Sequence, residues 1–289
     1  MRARTRNSRV QPRVCAAIVS ASLLWACYSA AGQELKVQDL EKHTELCNRV
    51  ADVTPDERIA SCTAVIASSG QTPRTRAIAL NNRGNAYYKK NDYDRAIEDY
   101  DESIKTLPGY ARAFNNRGLA FQKKGDLPRA LDDFNQSIRH DPKSAPAFAN
   151  RAEALRRKGD YRRAANDYTA AIRLLPTLEG VYNARCWVRA IIGELKPALA
   201  DCNEALRMNP SAAAYDSRGL TYLKLRQWKS AVGDYSSALQ LDPKLVSSLY
   251  GRGLAKVRSG DQAGGKADIA AATSMEADIE RVFAGYGVK

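Results

Sequence analysis

Histidine is nearly missing from this chain of 289 residues: there are two, His43 and His140. They fall in different segments, with no second histidine at metal-ligand spacing and no nucleophile paired to either. No phosphate-cradling glycine loop, zinc-binding helix or serine elbow occurs. Acids are plentiful, but none forms a pair isolated in an apolar surrounding, the arrangement that tunes a carboxyl for acid or base work. Beyond residue 31 no apolar run approaches the roughly 20 residues that span a bilayer. These absences exclude the common hydrolase, kinase and zinc-enzyme signatures. The chain is expected to be no enzyme, to need no cofactor or metal, and to carry no membrane span once its leader is removed.

The leader is the first thing present. Residues 1–31 hold Arg2, Arg4, Arg6, Arg9 and Arg13 with no acid, then an apolar run from Val14 to Ala26, then Ser29, Ala30 and Ala31. Basic, apolar and small residues in that order read as a secretory signal cleaved after Ala31, which directs the mature chain to a bacterial periplasm. Two alternatives stay open: an uncleaved anchor, and a lipoprotein box, Leu24-Trp25-Ala26-Cys27, in which Cys27 becomes acylated. The full chain carries +13, and losing five leader arginines leaves about +8. Such an excess draws acidic proteins, anionic lipid or anionic polymer at long range. Nucleic acid would be the default partner in a cytoplasmic protein, and export argues against it.

The body of the chain is one stretch, Ala77 to Pro108, written six times. Its closing proline recurs at Pro142, Pro176 and Pro210 at intervals of 34 residues, then at Pro243 after 33. A fixed period of this length marks a repeat architecture, in which each unit buries its apolar face on the next. In the second unit Phe114, Arg117, Gly118 and Phe121 follow the i, i+3, i+4, i+7 spacing of an amphipathic helix. Gly125-Asp126 then supplies a left-handed helix stop and a helix-starting acceptor. A second helix carries Ala130, Phe134, Ser137 and Ile138, and Pro142 ends the unit. The predicted architecture is all-α: an α-solenoid of stacked antiparallel helix hairpins over 77–277, with units at 77–110, 111–144, 145–178, 179–211, 212–245 and 246–277. Residues 33–70 read as a degenerate opening hairpin whose second helix begins at a capping box, Thr54-Pro55-Asp56-Glu57. Ile279, Val282, Phe283 and Tyr286 form a last apolar stripe, read as a capping helix at 278–289, with a partner-docking helix as the alternative.

The same phase sorts the cysteines. Cys15 and Cys27 belong to the leader, which leaves Cys47, Cys62, Cys186 and Cys202. Cys186 stands where other units place Gly84 or Gly118, and Cys202 where they place Tyr100 or Phe134. One is on each helix of a hairpin, at a close approach. Cys47 and Cys62 are 15 apart against 16 for the later pair, so the expected disulfides are Cys47–Cys62 and Cys186–Cys202. Buried free thiols are the alternative.

Small residues near Gly84 and Ala96, aromatics near Tyr87 and Tyr100 and a closing proline on a 34-residue period resemble the tetratricopeptide repeat. The resemblance covers Ala77 to about Ala277. It implies helix pairs stacked into a right-handed superhelix, with the first helix of each pair lining a concave groove that binds a peptide or protein. One departure stands out. Where that family often has leucine, these units have Arg83, Arg117, Arg151, Arg185, Arg218 and Arg252, each with an aspartate 16 residues later: Asp99, Asp133, Asp167, Asp201, Asp234 and Asp268. The opening hairpin lacks both, having Leu46 and Ser61. Joint presence and joint absence predict one interhelical ion pair per repeat, Arg83–Asp99 through Arg252–Asp268, rather than a ladder for acidic ligands.

Helical spacing gives the groove face. Its amino-terminal half is amide-rich and basic: Asn81, Asn85, Tyr88 and Lys89, then Asn115, Leu119, Gln122 and Lys123, then Ala149, Glu153, Arg156 and Arg157. The other half turns apolar through Asn183, Trp187, Ile191, Leu220, Leu223, Tyr250, Leu254 and Val257. Asparagines are expected to bond an extended peptide backbone, and Trp187 and Tyr250 to anchor its side chains, with Leu220 beside them on the groove face. The alternative is that these apolar residues pack on the adjacent turn of the superhelix or on the terminal helix. Lys89, Arg112, Asn116 and Lys123 resemble, in part, the clamp by which some tetratricopeptide proteins hold a terminal carboxylate. The expected role is a non-enzymatic binding scaffold in the cell envelope, with an envelope-associated structural or assembly factor, tethered at Cys27 or attracted to anionic polymer or lipid, as the second reading.

Overall fold

The computed structural model describes residues 39–49 and 51–288; the leader, with its cleavage site and Cys27, lies outside the described residues. Within them the chain is all helix, with fifteen helices and no strand. The opening hairpin is α1 (residues 39–48) and α2 (Pro55–Ala67). Six hairpins follow: α3 (Pro73–Lys89) with α4 (Tyr93–Thr106), α5 (Ala111–Lys123) with α6 (Leu127–His140), and α7 (Ala145–Lys158) with α8 (Tyr161–Leu174). Then come α9 (Val181–Ile191) with α10 (Leu195–Met208), α11 (Ala212–Lys224) with α12 (Trp228–Leu241), and α13 (Val246–Ser259) with α14 (Gln262–Met275). The short α15 (Ile279–Gly285) closes the array.

Local chemistry sets each boundary. At the bend inside a hairpin the backbone turns left-handed, with φ of 82° at Gly125, 84° at Gly159 and 61° at Asn91, residues that reach this region at little cost. The next residue caps the second helix: Asp92, Asp126, Asp160 and Asp261 each accept the backbone N–H three residues on, at 2.9–3.3 Å. Between hairpins the closing proline forces its predecessor out of the helical region, so Leu107, Asp141, Leu175 and Asn209 sit at φ between −137° and −152°. Helix α3 begins a turn before Ala77, because Thr72 accepts from Thr75 N–H at 3.1 Å and Pro73 fits the first turn.

Four of the six repeated hairpins are held by one large side chain against one small one. Tyr100, Phe134, Tyr168 and Tyr235 are buried, facing Gly84, Gly118, Ala152 and Gly219. A Cβ at Gly84 would lie 2.7 Å from the Tyr100 ring, and one at Gly118 2.8 Å from Phe134, so in these two hairpins a larger residue would have to displace the ring. In the fourth unit the pair is replaced by a Cys186–Cys202 disulfide with Cα atoms 5.3 Å apart, and Cys47–Cys62 ties the opening hairpin at 4.8 Å.

The regular arginines act twice. Arg83, Arg117, Arg151, Arg185, Arg218 and Arg252 each donate in parallel from Nε and Nη2 to both oxygens of the aspartate 16 residues on, at 2.6–2.9 Å. Five of the six also reach back through Nη1 to the second helix of the preceding hairpin: Arg83 to Thr63, Arg117 to Asp101, Arg151 to Asn135, Arg185 to Thr169 and Arg218 to Asn203. The planar guanidinium fork makes this possible, since it offers donors in two directions. One side chain therefore fixes the hairpin and its stacking on the previous one. The aspartates are 4–8% exposed. Burial pushes the Asp133 carboxyl up and Arg117 opposes that shift, so the acid depends on its partner.

Candidate ligand groove

The first helices, α3, α5, α7, α9, α11 and α13, touch one another in sequence, whereas consecutive second helices among the described residues do not. The first helices are thus the tighter, inner layer, and the array curves toward them. Their exposed faces floor a concave groove.

At its amino-terminal end this floor is a ladder of amides. Asn82 donates to Asn48 at 3.0 Å, Asn81 to Asn82 at 3.4 Å, Asn116 to Asn81 at 2.9 Å, Asn115 to Asn116 at 3.3 Å, and Asn150 to Asn115 at 2.9 Å. The chain of bonds runs in one direction across α1, α3, α5 and α7, and each amide polarises the next. Asn81 is 3% exposed, and the oxygens of Asn81, Asn115 and Asn116 are already engaged. The expectation that these three bond a peptide backbone is corrected accordingly: their first job is to bond neighbouring helices. Asn85 accepts the Tyr100 hydroxyl at 2.8 Å, while Lys89 and Lys123 stand exposed at the ends of α3 and α5. Arg112 does not join them. It lies in the first turn of α5, about 16 Å along the helix from Lys123 by the helical rise. There it lines a separate cavity of about 360 Å³ with Arg74, Tyr110 and His140. The four clamp candidates therefore do not converge.

The middle of the groove is a mixed cavity of about 290 Å³ lined by Glu153, Arg156, Asn183, Trp187 and Asp216. Arg156 is locked to Glu153 by two hydrogen bonds of 2.7 and 2.8 Å and lies 5.3 Å from the Trp187 ring. Glu153 also accepts from Arg157 at 2.9 Å and from the Tyr168 hydroxyl at 3.2 Å. Burial raises its carboxyl, but these partners outweigh burial and hold it below the ordinary glutamate value. Asp216 has only hydroxyls, from Ser247 at 3.1 Å and Ser248 at 2.5 Å, and burial pushes its carboxyl up.

The carboxy-terminal end is filled by the chain itself. Ile279 and Phe283 of α15 are each 2% exposed and join one apolar cluster with Leu220, Leu223 and Tyr250. Phe283 packs on Tyr250 with ring centres 4.9 Å apart, and Tyr286 meets Trp187 edge-on at 5.3 Å. Lys224 Nζ donates to the Tyr286 carbonyl at 2.6 Å and to the Ile191 carbonyl at 3.1 Å. Leu220, expected on the groove face, and Tyr250, expected to anchor a ligand, are 3% and 6% exposed and are corrected to core residues. Trp187 stays half-buried at the tip of the tail. Sequence reasoning missed Asn150 and Asp216, although both carry a signal. Asn82, Asn116 and Asn150 recur in phase one residue before the arginine, and Asp216 falls in the phase of Asn81, Asn115 and Asn183.

A solenoid of stacked antiparallel helix hairpins is the class of protein this geometry defines. Family models for the tetratricopeptide repeat match residues 84–125, 111–144 and 145–177, and the chain is a tetratricopeptide-repeat protein. A tetratricopeptide repeat protein from Parabacteroides merdae superposes with a TM-score of 0.58 at 16% identity, over 87% of this chain and 98% of that one. PilF of Pseudomonas aeruginosa gives 0.61 at 15% identity over 74% and 99%. YrrB, described as having an unusual peptide-binding site, gives 0.54 at 21% over 60% and 90%. At these identities the likeness is one of fold, and the fold is that of a protein-interaction scaffold. No curated protein matches the chain. Among the described residues no helix is long and apolar enough to cross a membrane, and no group of three or more histidines, cysteines or acids is placed to hold a metal ion.

Proposed function

We propose that this protein is a non-enzymatic scaffold of the bacterial cell envelope that holds an extended peptide segment of a partner along the amino-terminal and middle parts of its concave face. One observation carries the reading. The apolar end of the groove is occupied by residues 279–288, while among the described residues the stretch along α3, α5 and α7 has no such cover and presents Asn85, Lys89 and Lys123. Export is supported by the basic, apolar and small order of residues 1–31 and by two disulfides, which persist in oxidising compartments.

The test is selection of binders from a displayed peptide library on the purified protein, repeated with Lys89→Glu combined with Lys123→Glu. Peptides that lose about tenfold or more in affinity on the double variant support the reading. Selected peptides that bind both proteins equally would contradict it. The mass of the mature amino terminus separates cleavage after Ala31 from acylation at Cys27.

A further inference from the structure

The amide ladder stops at one place, and what it leaves behind is a site. In the first repeats an asparagine oxygen two residues before the regular arginine receives an amide from the next first helix: Asn81 from Asn116, and Asn115 from Asn150. Asn183 and Asp216 occupy that same phase further along. The donor due to Asn183 is replaced by Ser217, whose hydroxyl turns back to the Ala213 carbonyl at 2.9 Å. The donor due to Asp216 is replaced by Gly251, which has no side chain. Among the described residues Asn183 Oδ1 is consequently buried without a hydrogen-bond partner, and Asp216 has no cation within ion-pair distance. Both line the same mid-groove cavity.

The remaining groups in that cavity decide what fits. Arg156 is held to Glu153 through Nε and Nη2, and Glu153 is shared between two arginines and a tyrosine hydroxyl, so the Glu153 carboxylate already has its counter-charge. What is left over is one neutral acceptor and one carboxylate beside an indole wall. A backbone N–H or a hydroxyl would satisfy Asn183 but leave the carboxylate charge uncompensated. A guanidinium or ammonium satisfies both, with several donors and one positive charge.

We propose that the cavity between α7, α9 and α11 is a pocket for the arginine or lysine side chain of the bound peptide, recognised by Asp216 and Asn183. The inference rests on the reading of the concave face as a peptide groove, and it names the residue type that the groove selects. The direction of the Asp216 carboxyl agrees with it: desolvation at this position opposes the charged form and raises the carboxyl, and a cationic ligand would offset that.

The experiment titrates N-acetyl-arginine amide, N-acetyl-lysine amide and the neutral isostere N-acetyl-citrulline amide into the purified protein, following the indole resonance of Trp187 by NMR. Alanine amide, with a free amino terminus, forms a fourth arm. Saturable shifts with the arginine and lysine compounds, binding of citrulline weaker by about tenfold or more, and a similar loss in Asp216→Asn are expected. Asn183→Asp should tighten the arginine compound, and Asn183→Leu should weaken it in a protein whose thermal unfolding stays cooperative. No saturable shift, citrulline binding equal to arginine, an unaffected Asp216→Asn, or preference for alanine amide would each overturn the proposal. The displayed library separates this from the groove reading. Binders without enriched arginine or lysine remove the pocket and keep the groove, whereas binders insensitive to the lysine variants remove the groove itself.

Discussion

Along α3, α5 and α7 the concave face is floored by amides that bond one another, and along α9, α11 and α13 by apolar side chains lying under residues 279–288. Both stretches rest on the same hairpin, the same arginine and aspartate pair and the same closing proline. The difference lies wholly at the variable positions. Apolar groove residues are costly to leave in water, so the half that looks most like a ligand anchor is the half the chain covers for itself. The polar half can stay open at no such cost. In this protein an open binding surface and an attractive hydrophobic one are therefore separate places.

The largest expected effect tests what the halves share. Arg117→Leu removes the fork that holds Asp133 and reaches Asp101, and should cost about 4 kcal/mol of unfolding free energy because it strands a buried acid. Arg218→Leu in the covered half should cost about the same by urea denaturation, and a clear inequality would show that the rungs are not one scaffold.

The next separates the halves. Phe283→Ala opens the cluster around Tyr250 and should cost about 3 kcal/mol, with amide protection falling in α11 and α13 and unchanged in α3 and α5. Its counterpart in the open half is Asn116→Leu, which breaks the ladder on both sides. It should cost about 1–2 kcal/mol, felt in α3 and α5 by hydrogen exchange.

The smallest effect concerns the boundary. The Asp216 carboxyl is raised by burial, so the folded chain holds a proton that the unfolded chain has lost between the ordinary aspartate value and the raised one. Stability from this residue is complete below that window and declines as pH rises through it. Asp216→Asn should accordingly be the more stable protein near pH 7, and its advantage should vanish by about pH 3.5, as followed by urea titrations across that range.

The fold was legible because a 34-residue period repeats every signal, from the Gly-Asp bend to the proline stop. Groove chemistry was legible only in part, for a physical reason. Helical spacing tells which side chains share a face, but not whether that face meets solvent, a neighbouring helix or a distant segment. Asn81 and Asn115 were placed on the right helices, yet their partners lie one hairpin away, at a separation of 35 residues. Leu220 and Tyr250 announced burial, and only the path of α15 shows against what. The second reach of Arg117, to Asp101, spans the same 16 residues in the opposite direction, but its partner changes from unit to unit, to Asn135 and Thr169, so no recurring residue type marked it.

Amide hydrogen exchange of residues 279–288 in the intact protein bears most directly on the division of the groove. Tyr286 and Val288 donate backbone bonds to Val282 and Phe283 within a segment packed on Trp187, Lys224 and Tyr250. The account predicts that these amides exchange slowly, together with those of α13. Exchange as fast as that of an unstructured tail would contradict it, and would return Leu220 and Tyr250 to the surface available for a ligand.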